Sequence, residues 1–192
     1  MEGGHKMRRK VLFMAVVVLL LCSTIGAFAY EQKSKAYSWM ASYNGTGQIN
    51  LYAAFGFYYY GLDVGGGPEF ILGNFDVSGI QLEWGIAAKG LVGFANYDGF
   101  TWTDWGVGPL VTLHWGIDAG GPLKFDWYLG LGVGISGSST NYGYYPYGSG
   151  FGFGFASADG VAWHFSENIS AILDYSYFGY YSLFGIGLRF NL

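Results

Sequence analysis

The sequence of 192 residues has one cysteine, Cys22, and four prolines, and only 11% of it is charged. A lone cysteine excludes an intrachain disulfide, so no covalent staple holds the fold. Beyond residue 29 no stretch approaches 18 uninterrupted apolar residues, which excludes a membrane-spanning helix there. Its histidines, aspartates and glutamates fall in no metal-ligand spacing. There is no phosphate loop either, since the Gly-x-Gly-x-Gly run at 150–154 precedes no helix. The formal net charge of −4 offers no basic patch for nucleic acid. No metal, no cofactor and no nucleic-acid partner is therefore expected.

What the chain does contain is 52% hydrophobic residues, 21% aromatics and 34 glycines. Such a chain is too apolar for an ordinary wetted surface, yet it cannot cross a bilayer as helices. A closed β-barrel is the remaining way to satisfy every backbone amide in lipid.

Residues 6–10 read Lys-Met-Arg-Arg-Lys, followed by the apolar run Val11 to Leu21 and by Ala27-Phe28-Ala29. A basic start, a short apolar core and an A-x-A site make a secretory signal peptide over residues 1–29, with Met7 as an alternative start. A lipoprotein reading would use Cys22, but Leu21 stands where such sites want a small residue. Cleavage after Ala29 removes the cysteine and leaves five Lys/Arg against twelve Asp/Glu. Residues 30–47 are polar and mixed, and are expected to be a periplasmic lead-in with little structure of its own. The barrel is expected over residues 48–192.

Strand side chains alternate between faces with period two, and the chain alternates in eight segments. They run roughly Gln48–Tyr59, Leu62–Leu72, Ile80–Val92, Trp105–Ile117, Phe125–Gly137, Gly150–Phe165, Ile169–Tyr177 and Ser182–Leu192. In the last, Phe184, Ile186, Leu188, Phe190 and Leu192 share one face, while Gly185, Gly187, Arg189 and Asn191 share the other. A half-buried strand of a soluble sandwich alternates in the same way. A wetted face has no need of glycine, however, and glycine dominates the non-oily face here. Turns are expected at 73–79, 118–124 and 166–168, with outer loops near 60–61, 93–104, 138–149 and 178–181. Two positions are awkward. Pro68 removes a ladder donor and implies a bulge or local break. Asp159 falls on the oily phase of its strand, which calls for either a bulge at 158–160 or an Asp-Gly hairpin turn.

The C-terminal third carries a family resemblance. Trp163 and Phe165 at a strand end, Ser166-Glu167-Asn168 as a short turn, and Asp174-Tyr175-Ser176-Tyr177 resemble the final hairpins of the small OmpA/OmpX-type outer-membrane barrels, a group that includes OmpW-like proteins. The closing Gly187-x-x-Phe190-x-Leu192 resembles the assembly signal of that group, although the chain ends on Leu where Phe is commoner. The resemblance implies an all-β fold, an eight-stranded antiparallel up-and-down transmembrane β-barrel. It also implies residence in the bacterial outer membrane, contact with lipid and lipopolysaccharide, and insertion by the barrel-assembly machinery.

Inside so narrow a barrel charges must pair. The inward set is Asp63, Glu69, Glu83, Asp126 and Asp174 against Lys89 and Arg189, plus His114 and His164; Glu69, Glu83, Lys89, Asp174 and Arg189 are the ion-pair candidates, and Arg189, Glu69 and Glu83 are expected to meet. Three function classes stay open. A structural or surface-interaction role would use Tyr142, Tyr144, Tyr145 and Tyr147 in the longest loop to contact an extracellular ligand, because rigid tyrosines make good contact surface. A second class is a narrow conduit for small or hydrophobic solutes. The third is a lipid A-modifying enzyme, suggested by the His-x-Ser spacing at His164 and Ser166. A downstream Glu and an Asn-Pro are missing from that pattern, and the pair sits at a periplasmic turn, so the expectation is no enzyme.

Overall fold

The computed structural model describes residues 40–58, 61–120, 123–141 and 150–192. The expected signal peptide and Tyr142, Tyr144, Tyr145 and Tyr147 lie outside these residues. Among the described residues there are nine strands: β1 (Met40–Ala41), β2 (Ile49–Tyr58), β3 (Gly61–Val77), β4 (Ile80–Tyr97), β5 (Phe100–Asp118), β6 (Lys124–Thr140), β7 (Gly150–His164), β8 (Ile169–Phe178) and β9 (Tyr181–Asn191). Strands β2 to β9 pair antiparallel with their sequence neighbours, β9 returns to β2, and the ring has no free edge.

The stagger of that ring can be read from its register. From Asp63 the pairing runs one way through Gly93, Asp104 and Ser138 to Gly150. The other way it runs through Gly56, Gly185 and Asp174 to Gly160, ten residues further along β7. This displacement is the shear that tilts the strands and sets the bore. The bore is narrow, so inward positions are small or reach across, and outward positions are large and oily. Phe55, Ile86, Val111, Leu131, Leu173 and Ile186 are exposed on the outer wall. The chain is thus an eight-stranded transmembrane β-barrel.

Several strands run further than their composition suggested. The expected turn at 73–79 is mostly strand, and only Ser78 and Gly79 turn, both at positive φ (56° and 88°). The expected loop at 93–104 is likewise strand on both sides of Asp98-Gly99, which turn at 51° and 82°. Positive φ at both central residues is the hairpin turn whose twist matches the flanking strands, so the ladder continues up to it. As a result β4 to β7 rise well beyond the neighbouring rim. Gly179, in the β8–β9 turn, donates to Phe155 O, whereas β7 goes on upward to Gly150.

Neither device expected at Asp159 is present. Strand β7 pairs without interruption from Gly150 to Trp163 with β6 and from Ala156 to His164 with β8. Asp159 shares the outward phase of Phe151, Phe155 and Trp163, and it is exposed on the outer wall. Pro68 sits where β3–β4 pairing lapses between Gly66 and Glu69, in unchanged register; Pro109 coincides with a similar lapse between Val107 and Leu110 in β5–β6. Each proline withdraws one donor, and the ladder closes again on either side. The bulge of β3 lies lower, between Ile71 and Gly73, just past Ile71, which keeps the inward phase of Asp63 and Glu69 and is buried in the bore.

The lead-in also differs from expectation over its described part. Met40 and Ala41 pair with Ile117 and Gly116 of β5. Gly47 N donates to Ile71 O, and Ile71 N donates to Gln48 O. Asn44 is 3% exposed. Residues 40–47 therefore form part of one end of the barrel, the end where β9 finishes.

Candidate functional site

The alternation that builds the wall also fills the lumen, and the filling is layered. The layer nearest the entering segment gathers side chains from eight segments. Glu83 of β4 receives the Ser42 hydroxyl, the Asn44 backbone N–H (3.1 Å) and Asn44 Nδ2 (2.6 Å). Asn44 Nδ2 also reaches Asp126 Oδ2 at 3.2 Å, and Asn50 Nδ2 donates back to Asn44 Oδ1 at 3.2 Å. The chain entering the barrel is thus tied to three strands by one asparagine and one carboxylate.

His114 of β5 lies between two carboxylates, with Nε2 2.8 Å from Glu69 Oε1 and Nδ1 3.1 Å from Asp126 Oδ2. Both contacts are satisfied when both ring nitrogens carry protons. Glu69 Oε2 also accepts from Tyr52 Oη (2.6 Å) and Asn50 Nδ2 (3.0 Å). Arg189 of β9 bonds Asp126 of β6 and donates from Nη2 to His164 Nε2 at 2.7 Å. The expected meeting of Arg189 with Glu69 and Glu83 does not occur. Their strands are close on the wall, but a guanidinium on a long stem spans the narrow bore and finds the carboxylate opposite. Glu69 takes His114 instead, and Glu83 takes the entering segment.

One turn higher Lys89 pairs with Asp174 at 2.7 Å. Its ammonium lies 4.3 Å from the Tyr52 ring centroid and 4.7 Å from that of Tyr128, an arrangement in which two aromatic faces add to the ion pair. Tyr128 Oη and Ser176 Oγ donate to the same carboxylate. Gly108 stands beside Lys89 on the next strand, leaving room for the stem. Above this layer the lumen turns apolar: Phe178, Leu183 and Ala156 are 0% exposed and Leu110 is 2%. At the outer mouth Tyr181 donates to Asp63.

Sequence reasoning placed His114, Asp126 and Tyr52 inward without making them the hub of this network, and it missed Asn44. The signal was present: all but Asn44 fall on the inward phase of their strands. Asn44 precedes the first strand, where no periodicity marks it.

The enzyme motif does not assemble. Ser166 Oγ bonds the backbone of Ile169, and His164 turns to Ser170 Oγ at 3.0 Å and to Arg189. Arginine can only donate, so His164 Nε2 accepts and Nδ1 carries the proton toward Ser170. A base that presents its proton to the hydroxyl cannot remove one from it. Outside the spans, Tyr43 stacks on His164 at 4.7 Å and donates to Ile117 O. Burial, then Asp118 and Asp126, push its hydroxyl up to about 12.

Gly187, Phe190 and Leu192 lie toward the C-terminal end of β9 on its seam with β2. Phe190 pairs with Leu51 and Gly187 with Ala54, and Leu192 N donates to Ile49 O at 2.8 Å.

No protein-family profile matches the chain, and no curated protein matches it. Among solved structures it is similar to the N-terminal β-barrel domain of Pseudomonas aeruginosa OprF, at 17% identity over 78% of this chain and 100% of that one (TM-score 0.46). It is also similar to Ail, the attachment invasion locus protein of Yersinia pestis, at 14% identity over 77% and 100% (TM-score 0.41). A de novo designed transmembrane β-barrel aligns at 13% identity over 78% and 98% (TM-score 0.37).

Proposed function

We propose that the chain is a bacterial outer-membrane barrel with a structural or surface-interaction role and a lumen closed to solutes. The packed lumen is the observation that carries this reading. Arg189, Tyr128, Phe178 and Leu183 each reach into the bore and leave no exposed surface above 1%. A conduit needs a wetted path, whereas here a charged layer lies beneath an apolar one. The tall β4–β5 and β6–β7 hairpins favour surface contact. Phe151 and Phe153 stand 74% and 70% exposed on the extension of β7, next to the loop that holds Tyr142, Tyr144, Tyr145 and Tyr147. That loop would take the extracellular ligand. Lipid and lipopolysaccharide would cover the oily wall, and the assembly machinery would read Gly187, Phe190 and Leu192. No catalytic role is assigned, because His164 is committed to Arg189 and Ser170.

The test is conductance. Barrel reconstituted into a planar bilayer is expected to pass no steady current at neutral pH. Single-channel steps of constant size would overturn the closed-lumen reading in favour of a conduit.

A further inference from the structure

The outer wall is oily almost everywhere, and one place breaks the rule. Asp159 lies on the outward face of β7, four residues below Phe155, where β8 has already turned, and five above His164, where β7 ends. It is therefore near mid-wall. Its direct partners across the two ladders are Leu129 on β6 and Tyr175 on β8. Ser157, two residues along the same face, pairs with Tyr177. The Tyr177 hydroxyl is used, donating to Gly179 O. Asp159, Ser157 and Tyr175 make no side-chain hydrogen bond among the described residues. Around them stand Leu131, Phe155 and Leu173, all exposed. The result is an acceptor and two donors in a strip of otherwise apolar wall.

Lipid chains supply neither donor nor acceptor, so in a bilayer this strip would leave a carboxylate and two hydroxyls unsatisfied. We propose that the β7–β8 wall is a self-association surface, and that two copies pair through it with Asp159 of each accepting from Tyr175 of the other. Symmetry favours a second copy over an unrelated partner. Two barrels inserted the same way round are related by a two-fold axis along the membrane normal, which keeps depth and exchanges left with right. Strand β7 of one copy then faces β8 of the other. Asp159 and Tyr175 are cross-strand partners at nearly the same depth, so the rotation brings each acceptor to a donor, and the contact is made twice. That is the self-complementarity an isologous interface requires. Ser157, the small residue beside Phe155, opens a notch in the wall, and its hydroxyl lies close enough along β7 to join the same seam. Hydrogen bonds between polar side chains are among the forces that join transmembrane elements where hydrophobic burial offers no gain.

The inference rests on the membrane reading above, and the experiment separates the two. The full chain, produced in bacteria and extracted from their membranes in mild detergent, is examined by sedimentation equilibrium at several protein-to-detergent ratios. Folding is checked in parallel by the heat-dependent gel shift and β-type circular dichroism. The wild type is expected to form a dimer. Asp159→Leu and Tyr175→Phe are each expected to raise its dissociation constant at least tenfold, and the double variant no further than the single ones, because each variant removes the same two symmetric bonds. Val111→Leu, on a wall away from β7 and β8, is expected to leave it unchanged. A folded wild type that is monomeric at every ratio, or a dimer indifferent to both variants, overturns the proposal and leaves the barrel standing. A chain that is recovered soluble, with no heat-dependent shift, overturns both.

Discussion

Arg189 on the last strand bonds Asp126 on β6, passing over β7 and β8 to do so. Both side chains are almost wholly buried. Removing Arg189 leaves Asp126 with His114 and Asn44 as its remaining partners, so the cost is expected to fall below the ~3–5 kcal/mol of a buried charge left wholly unpaired. Arg189→Met is therefore expected to lower the urea midpoint of the barrel in micelles. Adding Asp126→Asn should return part of the loss, because the carboxylate that lost its guanidinium goes with it. Equal midpoints for the single and double variants would show that the charge itself is not what the arginine offsets.

Gly93 tests how tightly the outer mouth is packed. A Cβ built there would overlap Tyr181 Oη and Asp63 Oδ1. Gly93→Ala must push Tyr181 off Asp63, and overpacking of this kind costs about 1–3 kcal/mol. The expected readout is a lower unfolding midpoint with unchanged strand content. Gly99→Ala has open space around its Cβ but a φ of 82°, so its cost is expected to come from the backbone alone.

Tyr43 gives a pH dependence in the segment that enters the barrel. Its folded hydroxyl is raised from the ordinary tyrosine value of 10.0 to about 12, chiefly by burial. The folded chain then holds its proton where the unfolded chain has lost it, so stability falls as pH rises from 10 toward 12. Tyr43→Phe lacks this group. At neutral pH it should be less stable than wild type, having lost the bond to Ile117 O, and the gap should narrow as the pH passes 10. A gap that stays constant from pH 8 to 12, measured by thermal unfolding in detergent, contradicts the raised hydroxyl.

The closed ring and the direction of nearly every wall residue were legible because period-two alternation is a local property. Phe184, Ile186 and Leu188 announce their face whatever lies across the lumen. Strand ends were less legible. Asp98-Gly99 is a strong hairpin signal, but the aromatic and polar residues around it read equally well as loop, and the pairing of Asn96 with Thr101 is not visible in either residue. The network inside was read only as a set of inward charges. Which charge meets which depends on the shear and on side-chain reach, and that is how Arg189 comes to Asp126 rather than Glu69. Asp159 was misjudged for a physical reason: a carboxylate facing lipid is costly, so a bulge seemed necessary, and the unbroken register of β7 places it outside regardless.

The lumen holds two seals of different chemistry, and their separation makes the last prediction. At the lower end, Asn44 and Ser42 tie the entering chain to Glu83, and Asn44 also bonds Asp126 and Asn50. Asn44→Ala removes three of these bonds, so the amides of residues 42–48 are expected to exchange with solvent faster while the barrel amides do not. No current should follow, because Phe178 and Leu183 still fill the bore above. Phe178→Ala with Leu183→Ala opens the upper seal but leaves Arg189, Tyr128 and Lys89 crossing below. It is expected to lower stability by several kcal/mol, at about 2–5 for each large-to-alanine change, again without steady conductance. Only a variant that removes the upper pair together with Asn44 and Arg189 clears a path through both layers. If Asn44→Ala alone conducts in a planar bilayer, the apolar layer is not a seal, and the entering segment is the gate.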